Sequence, residues 1–239
     1  MKIVSWNCHN GFDANKSEKL QEVCPDIDIL VIQECKKCDH DVLKSSWMYR
    51  NWYADDEKET GGGGDGVLGI AIYSKEYKID FTEAFNRNFR YVVPYQITNK
   101  ENKTLFTLFA VWTKNYIVNK DAKTYQYDEN IKRTLVYDKY QELFNSGAII
   151  IGDYNTGASD EHSERYTELK NAMEKHGFSN CAKGGETDKP TSFWHNRSFR
   201  NDFCFASTEI SKKTTCKVLD TEELKNLSDH CPIIVDFNL

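Results

Sequence analysis

Apolar residues in this chain gather into short β-branched runs separated by longer stretches with helical spacing. Ile3 to Trp6 predicts an opening strand, and Leu20, Val23 and Cys24 fall on one face of a helix that Pro25 terminates. Ile29-Leu30-Val31-Ile32 is apolar on both faces, as a strand buried between two layers must be, and it runs straight into Gln33-Glu34. Gly69 to Tyr73 and Leu105 to Trp112 read as further strands. From Glu129 to Asn145 the positions Ile131, Leu135, Val136, Tyr140, Leu143 and Phe144 predict a helix that Gly147 stops. Ala148-Ile149-Ile150-Ile151 then repeats the earlier motif, an apolar run ending in a carboxylate, here Gly152-Asp153-Tyr154-Asn155. A helix carrying Tyr166, Leu169, Ala172, Met173 and His176 ends at Gly177, and strands at Asp202 to Ala206 and Ile233 to Phe237 complete the pattern. The expected architecture is an α/β fold, a four-layer α-β-β-α sandwich of two packed mixed sheets with outer helices, in one domain over residues 1–239.

Composition narrows the picture. A 39 % hydrophobic share with 13 % aromatic residues excludes wholesale disorder. No window reaches the roughly 18 apolar residues of a membrane span, and the first residues do not read as a signal peptide, so a cytoplasmic protein without a membrane partner is expected, as a monomer. In that reducing compartment the eight cysteines are expected as free thiols, including the lone Cys35-x-x-Cys38 pair. The glycine-rich stretch from Thr60 to Gly66 lacks the spacing of a phosphate cradle and is expected as a loop. A net charge of −6 means that any polyanion must be met by a local basic surface.

The candidate chemistry lies at the strand ends. A carboxylate that closes an apolar run is partly desolvated, which is costly unless a cation or a donor compensates it, and several together make an oxygen-rich site for Mg²⁺ or Mn²⁺. Five short motifs appear in order: Ser5-Trp6-Asn7, Ile32-Gln33-Glu34, Gly152-Asp153-Tyr154-Asn155, Asn201-Asp202-Phe203 and Ser228-Asp229-His230-Cys231-Pro232. In this order and spacing they resemble the endonuclease/exonuclease/phosphatase superfamily, over nearly the whole chain and nearest to its exonuclease III-like branch. That superfamily spans nucleases, sphingomyelinases and inositol polyphosphate phosphatases.

The resemblance implies a Mg²⁺-dependent phosphoric ester hydrolase, with Mn²⁺ as a substitute. Glu34 would be the principal metal ligand, with Asp229 and Asn7 completing the shell. Asp153 would orient or deprotonate the attacking water, and Asn155 would hold it or the phosphate. His230 would donate to a non-bridging phosphate oxygen, while Asp202 fixes its ring and favours the imidazolium. Three features depart from the family pattern. Trp112 stands where many relatives carry a histidine, although Trp112 with Asn115 resembles the exonuclease III-like arrangement; His9 stands where an acidic residue is common; and only five residues separate Trp194 from Arg200.

For the substrate, cations interleaved with aromatics suit phosphates and unstacked bases. Arg87 and Arg90 form one such stretch, and Arg197 and Arg200 beside Phe193 and Trp194 form another. Trp112, Asn115, Phe193, Trp194, Arg197 and Arg200 are therefore the expected substrate contacts. Nucleic acid is the expected partner, DNA ahead of RNA. A small-molecule or lipid-headgroup phosphate ester is the alternative, and a catalytically silent binding module ranks behind both.

Overall fold

The computed structural model describes residues 1–43, 47–54, 68–86, 92–113, 115–119, 124–127, 140–144, 147–159 and 163–237. In chain order the strands are β1 (Lys2–Asn7), β2 (Ile29–Lys36), β3 (Tyr49–Tyr53), β4 (Leu68–Ser74), β5 (Lys78–Phe81), β6 (Val92–Thr98), β7 (Thr104–Trp112), β8 (Asn115–Asn119), β9 (Thr124–Tyr127), β10 (Ile149–Ala158), β11 (Phe178–Asn180), β12 (Ser192–Trp194), β13 (Arg197–Ser207), β14 (Thr214–Val218) and β15 (Ile233–Phe237). The helices are α1 (Ala14–Val23), α2 (Lys37–Val42), α3 (Gln141–Phe144), α4 (Glu164–Lys175), α5 (Thr208–Lys212) and α6 (Glu222–Lys225).

One sheet has the order β14-β15-β1-β2-β4-β3 and the other β11-β13-β10-β7-β6-β5, with β12 paired to β13 and β8-β9 forming a separate ribbon. Both sheets are mixed. β1 pairs parallel with β2 and antiparallel with β15, and β10 pairs parallel with β7 and antiparallel with β13. The two central parallel pairs therefore bring their carboxyl ends, and the acids that follow them, to one edge of each sheet.

The apolar runs are continuous because both faces of these strands are covered. Ile29 and Val31 point inward with Ile149 and Ile151 into the core shared by the two sheets. Leu30 and Ile32 point outward with Trp6 against Leu20 of α1 and Leu224 of α6. On the other side Ile150, Phe203 and Phe205 pack under Tyr166, Leu169 and Met173 of α4. Full burial of each such side chain contributes roughly 1.5–3 kcal/mol. The helix ends are capped as their sequences dictate. Asp13 accepts from the Lys16 amide at the start of α1, Ser163 accepts from the Tyr166 amide at the start of α4, and Gly177 takes a φ of +78° just beyond it.

The packed mixed sheets and outer helices are those expected from the sequence, but several elements differ. The expected helix over 129–145 is described only at Gln141–Phe144, and the glycine-rich stretch, Arg87 and Arg90 lie outside the described residues. The short strands β3, β5 and β11 lack an apolar run long enough to announce them, since they sit at or near sheet edges with one face open. The five residues between Trp194 and Arg200 are not a free loop. β12 and β13 form a hairpin in which Trp194 pairs with Arg197 across a turn at His195 and Asn196, so β13 starts five residues before Asp202.

Candidate active site

The functional side chains lie where a strand ends or its regular pairing is interrupted. Asn7 is the last residue of β1. Glu34 sits at a register break of β2 between Ile32 and Cys35, with a left-handed φ of 57°. Asp153 lies where β10 leaves its regular pairing, opposite Asp202 on β13 and Trp112 on β7, and Asn155 follows at a φ of 46°. Gly152 makes this approach possible. Its φ is +147°, and a Cβ there would come within 2.0 Å of the Val111 carbonyl oxygen. Asp229 and His230 precede β15 and are tied to the β12 hairpin, because the Phe193 amide donates to Asp229 O at 2.8 Å and the Cys231 amide to Thr191 O at 2.7 Å.

His230 and Asp202 form a buried pair, with Nδ1 of the ring 2.8 Å from Oδ2 of the carboxylate. Burial pulls the ring toward its neutral form, but the charge and hydrogen bond of Asp202, reinforced by Asp153 and Asp229, prevail and push its pKa up to about 10. Asp153 is fully buried beside them. Its carboxylate accepts from Asn7 Nδ2 at 2.9 Å, from the Asn155 amide at 2.8 Å and from Asn155 Nδ2 at 3.0 Å. Burial, with the Asp202 charge adding to it, still raises its pKa to about 7 against the opposing pull of His230 and these donors. A carboxylate with a pKa near neutrality is poised for proton transfer, and a charged imidazolium alongside it is poised to donate to an anion.

Among the described residues, Asp153, Asp202 and His230 are the group of three side chains whose ligand atoms lie within 4.8 Å of one another. Their hydrogen bonds already engage His230 Nδ1, Asp202 Oδ2 and both oxygens of Asp153, which leaves Asp202 Oδ1 as the buried oxygen of this group without a partner. Glu34 has the better donor set for a hard cation. Its Oε1 accepts from Asn7 Nδ2 at 3.3 Å and its Oε2 from the Asn10 amide at 3.1 Å, and among the described residues no cationic side chain pairs with it. Asn7 thus bridges Glu34 and Asp153 through one amide nitrogen. Asp229 is 37 % exposed and lies 3.3 Å from Nδ1 of His9, outside the three-membered group. Half-buried or open carboxylates joined by neutral amides fit Mg²⁺ or Mn²⁺, which bind few protein oxygens and keep several waters.

The expected substrate contacts divide. Trp194 is 66 % exposed, Arg197 is exposed at the hairpin tip, and Phe193 is partly buried with Lys225 Nζ over its ring at 5.7 Å. Arg200 requires a correction. It is 2 % exposed, its Nη1 donates to the Glu186 and Lys189 carbonyls, and its guanidinium lies over Phe203 at 5.3 Å, so it pins an inner loop and presents no charge to a substrate. Trp112 is likewise buried, at 5 %, in the core between the sheets beneath Asp153, because its place on β7 turns its ring inward. Asn115 opens β8.

Several supporting residues had no role assigned from the sequence. Trp6 Nε1 donates to His230 O at 2.8 Å, Ser228 Oγ donates to Asn7 O at 2.7 Å and accepts from the His230 amide, and Thr191 Oγ1 accepts from the amides of both Asn201 and Asp202. Trp6 and Ser228 lie inside the quoted motifs, which was their signal. Thr191 lies outside every motif and had none.

A family model described as "Endonuclease/Exonuclease/phosphatase family" matches residues 4–230. No curated protein matches the sequence. Among solved structures, an AP endonuclease from Archaeoglobus fulgidus superposes with a TM-score of 0.71 at 16 % identity, covering 100 % of both chains. The endonuclease domain of a telomere-specific non-LTR retrotransposon superposes at 0.67 and 16 % identity, covering 100 % of this chain and 98 % of the other. A 3′ phosphatase from Neisseria bound to product DNA hairpin superposes at 0.66 and 18 % identity, with 100 % of both chains covered. At these identities the likeness establishes the fold.

Proposed function

Because the chain belongs to the endonuclease/exonuclease/phosphatase family, as the match over residues 4–230 shows, we propose that it is a Mg²⁺-dependent phosphodiesterase that cleaves nucleic acid, DNA ahead of RNA, by in-line attack of water. The observation that carries this reading is the convergence of a near-neutral carboxylate, Asp153, with a charged imidazole, His230, beside the amide-linked carboxylate Glu34. Glu34, Asp229 and Asn7 would hold the cation, which would supply charge neutralisation at the phosphate. Asp153 accepts the proton of the attacking water, and Asn155, bonded to both of its oxygens, fixes the direction of that carboxylate. His230 donates to a non-bridging oxygen, and Asp202 keeps it charged while the pentavalent transition state gathers negative charge. Phe193, Trp194 and Arg197 on the hairpin beside Asp229 receive the flanking nucleotide, an arrangement suited to a stacked base and its phosphate. The Neisseria 3′ phosphatase of similar fold, described as bound to a product DNA hairpin, supports DNA over RNA.

The net charge of −6 favours a second reading, a small phosphate ester that touches only the metal site. A panel of single- and double-stranded DNA, RNA and small phosphomonoesters, assayed with Mg²⁺ or Mn²⁺ and after chelation, separates the two. Chelation is expected to abolish hydrolysis, and polynucleotides are expected to outrank monoesters in kcat/KM. Faster turnover of a monoester than of any DNA or RNA would replace the first reading with the second.

A further inference from the structure

Lys16 occupies the first turn of α1, where the helix dipole disfavours a cation and where its own amide is already held by the Asp13 cap at 2.9 Å. Its side chain turns back from the helix. Nζ donates to the backbone carbonyl of Cys8, to His9 O at 3.3 Å and to Gly11 O at 2.8 Å, which matches the three protons of an ammonium group. The loop that it grips is unusual, since His9, Asn10 and Gly11 take left-handed φ values of 41°, 66° and 121° in succession. Two of these are non-glycine residues in a conformation that must be held by its surroundings. Gly11 suits its place because its φ of +121° is one that residues bearing a Cβ rarely adopt.

The other side of the same loop faces the acids. The Asn10 amide donates to Glu34 Oε2 at 3.1 Å, the His9 amide to Asn7 Oδ1 at 3.1 Å, and His9 Nδ1 lies 3.3 Å from Asp229 Oδ1. Two residues of the loop therefore join, through backbone or ring nitrogens, all three side chains assigned to the cation. Lys16 itself forms no ion pair with any of those acids among the described residues.

We propose that Lys16 is a positioning residue, an internal cation whose ammonium gathers the Cys8, His9 and Gly11 carbonyls and thereby holds the loop that orients Glu34, Asn7 and Asp229 for a divalent cation. This rests on the metal-dependent reading above. Mn²⁺ titration calorimetry on the full chain tests it, with amide hydrogen exchange read at Asn10. Lys16→Met keeps the stem and removes the donors, and it weakens Mn²⁺ binding roughly tenfold or more, the scale of a lost outer-shell contact, while Asn10 exchanges faster. Lys16→Arg, which retains a cation, falls between. Lys16→Ala loses affinity and regains it with added n-propylammonium, whereas Lys16→Met does not respond; that restoration distinguishes a missing ammonium from damage to the fold. Wild-type Mn²⁺ affinity in Lys16→Met, or no restoration of Lys16→Ala, overturns the role of Lys16 alone. A wild-type protein that binds no Mn²⁺ overturns the metal-dependent reading, and this inference with it.

Discussion

Replacing Asp202 by asparagine changes one atom in a fully buried position and isolates the charge that governs His230. In the native protein Oδ2 of Asp202 accepts from Nδ1 of the ring at 2.8 Å, which orients the imidazolium with its second nitrogen directed away from that oxygen. Burial alone would lower the ring's pKa, and Asp202 is the largest influence that raises it, to about 10. With a neutral amide in its place, the ring falls back toward its ordinary value of about 6.5, burial pulling it down while Asp153 and Asp229 still hold it up. A fall from about 10 to about 6.5 corresponds to roughly 5 kcal/mol lost from the charged form, at 1.36 kcal/mol for each tenfold change in proton affinity. At pH 7.5 the native ring is almost wholly imidazolium, and the variant ring is about 10 % charged or less. With about a tenth of the ring charged, the expected loss for Asp202→Asn at pH 7.5 is about tenfold, growing at higher pH toward the 10²–10³ in kcat of a wholly lost donor.

The assay is a profile of kcat against pH from 5.5 to 9.5 at saturating Mg²⁺, with thermal melts to confirm folding at each pH. The ratio of native to variant kcat is expected to shrink toward the acid end, where the variant ring regains its proton, and to widen as pH rises. Parallel profiles with a constant ratio would refute the argument, because they would mean that Asp202 contributes something other than the charge state of His230.

Asp202→Ala and His230→Ala are expected to be strongly non-additive, the double variant being only slightly slower than the worse single one, since the two side chains act as one hydrogen-bonded unit. Multiplicative losses would separate them. The metal-free protein is expected to lose stability as pH rises from about 4 to 7 on account of Asp153. Its folded pKa, about 7, lies above its ordinary 3.8, so its contribution is complete below the lower value and gone above the higher. Asp153→Asn should flatten that part of a Tm-against-pH curve, and an unchanged slope would contradict the burial assigned to this carboxylate. Arg197→Gln should raise KM for a polynucleotide and reduce the log–log salt slope by roughly 0.7 to 0.9. Arg200→Met, by contrast, should lower Tm and leave the salt slope unchanged, because its guanidinium serves two internal carbonyls; equal salt effects from both would put Arg200 at the surface after all.

The buried parallel strands were legible because both of their faces carry apolar side chains, so Ile29 to Ile32 and Ile149 to Ile151 announce themselves without any partner in view. Asp153, Asp202 and His230 were legible as members of ordered motifs, yet nothing in periodicity says that three residues so far apart in the chain lie within 4.8 Å. Arg200 shows the opposite failure. A cation in a basic and aromatic stretch reads as surface, and only tertiary structure reveals the Glu186 and Lys189 carbonyls that take it inside. Trp112 is similar, since its inward direction follows from strand register rather than from composition. Lys16 carried no signal, because its role depends on a side chain that folds back onto the Cys8, His9 and Gly11 carbonyls, which neither spacing nor periodicity shows.

The site exists because the strands stop being regular where the chemistry begins. In an unbroken strand, residues an odd number apart point to opposite faces, yet Ile32 and Cys35 both pack in the outer core. The additional residue between them is absorbed at Glu34, and its left-handed backbone is what turns its carboxylate out of the helix-covered layer toward Asn7 and Asn10. Glycine would adopt that conformation without strain, of order 1–3 kcal/mol for a side-chain-bearing residue, but would supply no oxygen. Asn155 is the same device on the second sheet, where the register breaks after Asp153 and a left-handed residue folds its amide back onto that carboxylate. Local strain at Glu34 and Asn155 is thus offset by the hydrogen bonds that each makes, Glu34 with Asn7 and Asn10 beside it and Asn155 with the carboxylate of Asp153. The chemistry is concentrated at these positions because a carboxylate placed on the regular part of either strand would be buried in a core with no donor to meet it.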